Sequence, residues 1–191
     1  LTPDEMKTLD QAAQVAGLTA SQLNVFRPWF AALTISNAAM VRAGYDPSSG
    51  VDMNVEAIFK ADGIKPNGLE NAEQQIKVFA SMTREQELEY LRTTMEEYEK
   101  ASTELDQMVE QWSHGDLAGL EQMFVTDMKT ETPDLYEALL HNRNANWVMQ
   151  IHEMLKGKGV IFIAVGAGHL IGPDSVLSML KAKGIASERV Q

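Results

Sequence analysis

The stretch VIFIAVGAGHLIGP, residues 160–173, decides how this chain is read. Its first six residues, 160–165, are all apolar, with the length and β-branched content of a strand buried on both faces. Gly166 and Gly168 then let the backbone turn sharply, and His169 is left standing at the strand's end. In an open α/β sheet that is where ligands bind. Gly166-Ala167-Gly168-His169 therefore reads as a GxxH motif presenting an imidazole beyond the sheet edge, as metal ligand or general base. The plain alternative is a histidine that only ties a loop by hydrogen bonding, and spacing alone does not separate the two. A dinucleotide fingerprint is only a weak match: Gly172 comes one residue late for GxGxxG, and Glu188 falls inside the next expected strand rather than at its end.

Working outward, a helix over 173–183 and a strand over 185–190 complete a βαβ unit with a right-handed crossover. Upstream, Gly157 and Gly159 stop a preceding helix, and 64–69 reads as a short edge strand because Pro66 lies within it. The remainder is helical by pattern. Pro3-Asp4-Glu5 opens a helix that Gly17 closes, Thr19 is the next N-cap, and Pro28 starts a helix ending at Gly44. Residues 45–50 form a loop, and a helix over 51–61 ends at Gly63. Helices follow over 73–82, 84–112, 116–128 and 133–155, the last with a break expected within 142–146. The expected fold is α/β, predominantly helical, with a small, mostly parallel sheet and a C-terminal βαβ unit. It is expected as a single domain, 1–191, with a helical insert at 71–156.

Composition narrows the function. A chain of 191 residues with 45% hydrophobic residues can bury a core. A net charge of −11 argues against nucleic acid and against an anionic membrane surface, because no basic stripe exists to replace counterions. No apolar run reaches the roughly 18 residues needed to span a bilayer. Without cysteine, thiol catalysis, disulfides and cysteine-ligated zinc are excluded. The chain starts at Leu1 rather than methionine, which points to a processed or truncated product.

Other residues carry chemistry by type and position. In His141-Asn142-Arg143-Asn144-Ala145-Asn146, three asparagines beside Arg143 are poor helix formers, which suggests that their amides and guanidinium hold a loop or a ligand; a capped helix break with an exposed ion pair is the alternative. Glu70 closes the expected edge strand, where a carboxylate can bind metal, act as base, or cap the helix that begins near Asn71. His152-Glu153 begins like HExxH, but Lys156 stands where the second histidine is needed, so a solvated helix turn is expected. Glu137 and His141, four apart, read as a surface pair, and His114 as a turn residue. There is no GxSxG elbow and no phosphate-binding GxxxxGK[ST] loop. The eleven methionines read as core filler.

In chain order, Arg27-Pro28-Trp29, Gly44-Tyr45-Asp46, Gly50-Val51-Asp52, Gly68-Leu69-Glu70 with Glu73-Gln74-Gln75, Trp112-Ser113-His114-Gly115-Asp116, Arg143-Asn144, the Gly166-to-Gly172 segment and Leu180-Lys181-Ala182-Lys183-Gly184 together resemble the TraB/GumN family, which includes the Tiki proteins. The resemblance implies a metallopeptidase-like hydrolase using a divalent metal ion and acting on a peptide or protein, with a secreted or periplasmic location. It implies two GxxH motifs with a glutamate and an arginine. Gly166 and His169 match the second GxxH, Arg143 the arginine, and Glu70 is the candidate acidic residue; His169 and Glu70 are then metal ligands, with Gly166, Gly168 and Asn144 shaping the site. The first GxxH is expected on an early strand ahead of the Pro-Trp helix, yet no histidine precedes Arg27. The reading that follows is a family domain lacking its N-terminal part, with an incomplete site and a sheet edge left open for homodimerisation or strand exchange. A noncatalytic binding or accessory protein of an envelope or polysaccharide system is the competing reading.

Overall fold

The computed structural model describes residues 1–98 and 100–190. By contact they form two compact units, one comprising Leu1–Pro66 and Glu70–Gln107, the other Asn67–Leu69 and the residues from Met108 onward.

The first unit is helical. Helix α1 (Pro3–Val15) is started by a capping box, in which the Thr2 hydroxyl accepts from Glu5 N–H and the Glu5 carboxylate accepts from Thr2 N–H. The same reciprocal device, built from Thr19 and Gln22, starts the single-turn helix α2 (Ala20–Leu23). Helix α3 (Pro28–Arg42) has proline at its first position, where the missing N–H costs nothing. Helix α4 (Val51–Ala61) follows a 3₁₀ turn capped by Asp46. Helices α5 (Ala72–Ala80) and α6 (Arg84–Glu97) begin with boxes at Asn71 and Thr83. Leu9, Ala12 and Ala13 of α1, Leu23 of α2, Ala31, Ala32 and Ile35 of α3, and Leu91 and Met95 of α6 form the core. The alanines let these helices approach closely, and Glu87 is buried on α6 with Arg27 donating to it. The helix expected over 84–112 is thus two helices, with α7 (Ala101–His114) contributing residues to both units.

The second unit continues with α8 (Leu117–Glu121), a π-helical stretch Gln122–Asp127, α9 (Met128–Glu131), α10 (Pro133–Tyr136), a second π stretch Glu137–His141, α11 (Asn142–Met154) and α12 (Val176–Ala182). The chain does not break at the asparagines. It runs as helix from Pro133 to Met154, with the irregularity one turn earlier than expected. Tyr136, Leu140, Asn144 and Val148, spaced four apart, are all buried. On a regular α-helix such a row drifts about 40° per step, and the wider π turns take part of that drift back. Trp147, Val148 and Ile151 of α11 then pack on Val176 and Leu180 of α12, with Leu69, Val165, Met179 and Ile185 around them.

The expected α/β fold is corrected here: among the described residues there is no strand, so neither the small parallel sheet nor the C-terminal βαβ unit is formed. Residues 160–165 are irregular and largely exposed, Val160 completely (101%) and Phe162 by 63%. Residues 64–69 and 185–190 are irregular as well. The physical reason is that a strand is defined by the ladder it shares; an apolar run supplies β propensity but no partner for its N–H and C=O groups. Among the described residues no helix is long and apolar enough to cross a membrane.

Candidate functional site

The second unit brings together three residues singled out in the sequence, His169, Asn144 and Arg143. His169 ends a short 3₁₀ turn, Ala167–His169, entered through Gly166, whose carbonyl accepts from His169 N–H. Its ring is buried (8% exposed) and Nδ1 lies 2.6 Å from Asn144 Oδ1. Asn144 is itself 2% exposed, and its Nδ2 donates to the Asp174 carbonyl at 2.8 Å. The imidazole also rests against Trp147, with ring centroids 4.3 Å apart and planes tilted by 44°. Arg143, one helical turn before Trp147, places its guanidinium carbon 4.9 Å from the centre of that indole and donates through Nη1 to the Leu139 carbonyl. Trp147 Nε1 is buried without an acceptor.

Two glycines set the loop's path for different reasons. Gly172 has φ +81°, a conformation that side chains resist, and a Cβ there would come within 2.8 Å of Val125 Cγ2. Gly168 has ordinary space only because it lacks a side chain, since a Cβ would meet the Phe124 ring at 3.2 Å. Phe124 and Val125 belong to the first π stretch, so the histidine loop lies directly on it. Gly166, by contrast, has φ −58° and ψ 144°, and a Cβ there would make only an ordinary contact with His169.

Asp174, which sequence reasoning passed over, organises the far side of this arrangement. Its carboxylate accepts from Lys129 Nζ at 2.6 Å and from the Tyr136 hydroxyl at 2.9 Å, while its carbonyl holds Asn144. The lysine bond, outweighing partial burial, lowers the Asp174 pKa. Burial, reinforced by the same carboxylate, raises that of Tyr136. Lys129 also sits 4.7 Å from the centre of the Tyr136 ring. Immediately afterwards Ser175 caps α12 through Ser178 N–H, and the Ser178 hydroxyl donates to the Gly172 carbonyl, closing the turn. Nothing in the sequence pointed to Asp174. Trp147 was legible in principle, since residues four apart on a helix meet.

The remaining candidates are placed as follows. Glu70 belongs to the first unit and is partly buried just ahead of α5; the capping role falls to Asn71, whose Oδ1 accepts from Gln74 N–H. Glu137 and His141 form a surface pair at 2.7 Å on the second π stretch. His114 closes α7, where its Nδ1 lies 2.8 Å from the Glu110 carbonyl oxygen and Gly115 follows with φ +66°. Glu153 pairs with Lys156 at 2.6 Å, which holds its pKa down, as expected for a solvated turn.

With this geometry in view, a family match decides the kinship: residues 1–189 fit the TraB/PrgY/gumN family. The chain belongs to that family. Among curated proteins it is similar to the uncharacterized protein YbaP of Escherichia coli strain K12, at 25% identity over 181 residues, covering 95% of this chain and 66% of that protein. The YbaP protein of Shigella flexneri matches with the same figures. The chain thus spans about two thirds of the length of these TraB/PrgY/gumN relatives. No solved structure matches it.

The family resemblance implies a divalent metal ion, and the donors present can be tested against it. A hydrolytic zinc takes about three protein ligands. The cluster around His169 offers one imidazole, whose Nδ1 is engaged by an amide, and among the described residues no three His, Cys, Asp or Glu side chains are grouped to hold an ion. The residues of this stretch by themselves do not fit a resident metal.

Proposed function

We propose that this chain carries the imidazole half of a hydrolytic site in a metallopeptidase-like member of the TraB/PrgY/gumN family. One observation supports the reading: a buried histidine whose ring orientation is fixed by a buried amide, with an arginine and an indole alongside. An ordinary loop histidine needs no such second layer, whereas a general base does, because a base oriented by a third group is the recurring arrangement in acyl transfer. In this reading His169 accepts the proton of the attacking water. Arg143 holds a substrate carboxylate or the oxyanion that develops at a peptide carbonyl, and the indole N–H of Trp147 is a further donor for an oxygen ligand. The reading uses no residue of the first unit. A divalent cation belongs to the proposed activity of the whole protein, with His169 contributing one ligand or the base and the other donors coming from outside this cluster.

The test is to incubate the intact protein with a mixed peptide library, with and without added manganese or zinc, and to read cleavage by mass spectrometry. His169→Ala is expected to abolish cleavage, a loss of at least about 10²-fold for a positioned acid–base group, while circular dichroism and thermal unfolding show the protein still folded. Equal cleavage by both proteins overturns the role of His169, and no cleavage under any condition overturns the reading in favour of a binding role.

A further inference from the structure

The amide of Asn144 faces two partners, and only one of them has a fixed hydrogen-bonding character. The Asp174 carbonyl is solely an acceptor, so the Asn144 atom 2.8 Å from it must be the Nδ2 donor. That leaves Oδ1, also an acceptor, 2.6 Å from His169 Nδ1. A hydrogen bond there requires the proton to sit on Nδ1. The neutral ring then carries its lone pair on Nε2. Reversing the amide would set two oxygens against each other at Asp174, in an interior where an unmade bond costs about 1–3 kcal/mol.

The Asp174 carbonyl cannot easily change its direction to relieve that constraint. Its own carboxylate is held by Lys129 and Tyr136, and the next residue caps α12. Asn144 is held from its side by the buried face of α11. Three elements, the 129–136 region, α11 and the turn before α12, therefore converge on one proton position.

We propose that Asn144 is a positioning residue that sets the tautomer of His169, with the Asp174 peptide as its anchor, so that Nε2 is the nitrogen that accepts a proton or binds a ligand. The inference rests on the hydrolytic reading only for what Nε2 does next; the tautomer itself is independent of turnover. Asn144 acts through His169 and is not itself a catalytic residue.

The experiment is long-range proton–nitrogen correlation NMR on protein labelled with nitrogen-15 in its histidine rings. His169 is assigned by the signals missing from His169→Gln, at a pH where the rings are neutral. Wild type is expected to show Nδ1 as the protonated nitrogen and Nε2 as the bare one. In Asn144→Ala the Nδ1–H form is expected to lose its majority. In Asn144→Asp, which keeps the acceptor facing Nδ1 but loses the donor to the Asp174 carbonyl, it is expected to persist in a protein with a lower unfolding midpoint. A wild-type ring protonated on Nε2 overturns the proposal, and so does an Asn144→Ala protein, shown folded by amide dispersion, whose tautomer is unchanged. The wild-type spectrum decides the first point even if both variants fail to fold. A protein with the Nδ1–H tautomer that cleaves no peptide removes the hydrolytic function and leaves the tautomer assignment standing.

Discussion

Residues 160–165 and 166–172 are neighbours in sequence with opposite fates. The first six are apolar and lie mostly in solvent, whereas the segment that follows buries a glycine and a histidine along with Ile171. Hydropathy gives what burial would be worth, roughly 25 cal/mol per Å² of apolar surface, but only a surface that covers the residue delivers it. Val160 has no such surface. His169 has two, Asn144 for its Nδ1 and Trp147 for its ring, while Phe124 and Val125 lie close against Gly168 and Gly172 of the same loop. Specific complementarity, rather than average polarity, decides which half is inside.

The strongest way to break the contrast is to spoil one of those fits. Gly172→Ala puts a Cβ 2.8 Å from Val125 at a left-handed φ, and is expected to cost about 2–4 kcal/mol through backbone strain and overpacking together. Thermal or urea unfolding measures it. The control is Gly166→Ala, whose Cβ finds only His169 Cδ2 at 3.8 Å, and which should leave the midpoint nearly in place. Equal losses at both positions would mean that the glycines act by flexibility and not by fit.

A smaller effect is expected from pH, through Asp174. Lys129 lowers its pKa in the folded protein, so the folded state binds this proton more weakly than the unfolded chain. The contribution to stability is therefore complete above the unfolded value, near 3.9 for aspartate, and disappears as the pH falls through the lower folded value. Wild type is expected to exceed Asp174→Asn by about 1 kcal/mol near neutral pH, since the ion pair is partly exposed and screened. The gap should close in acid, and a gap constant from pH 7 to pH 2 would deny the carboxylate this role. Smallest of all, Val160→Ser should shift stability by less than about 0.5 kcal/mol, because the residue is 101% exposed. A loss comparable to that of Gly172→Ala would show that the apolar run is covered in solution.

What the sequence disclosed follows the range of the interactions. The start of α2 was readable because a cap acts over three residues, Thr19 and Gln22 completing their box without help from elsewhere in the chain, and those of α1 and α3 because a proline at the first helical position is already set for the helix. The strand over 160–165 was misread because its pattern is shared by buried strands and by exposed apolar coil, and the deciding contact is distant. Arg143, Asn144 and His169 stood out by residue type, and Asn144 proved to be held by a carbonyl 30 residues away, so that its poor helix propensity did not break the helix. Asp174, Lys129 and Tyr136 left no local trace, because charged and phenolic groups at such spacings are ordinary on any surface. The π stretches were equally silent, since the wider turn answers to packing at Leu140 and Val125 rather than to a residue signature.

The contact between Val125 and Gly172 has a consequence for how this protein can vary. Two positions 47 apart share one small volume, so neither is free to change alone. A smaller residue at 125 makes room for a side chain at 172 but leaves the left-handed backbone angle to be accommodated, and the two substitutions will not combine additively. The histidine loop and the π stretch beneath it are therefore constrained as a pair: a side chain at 172 fits only to the extent that position 125 yields space.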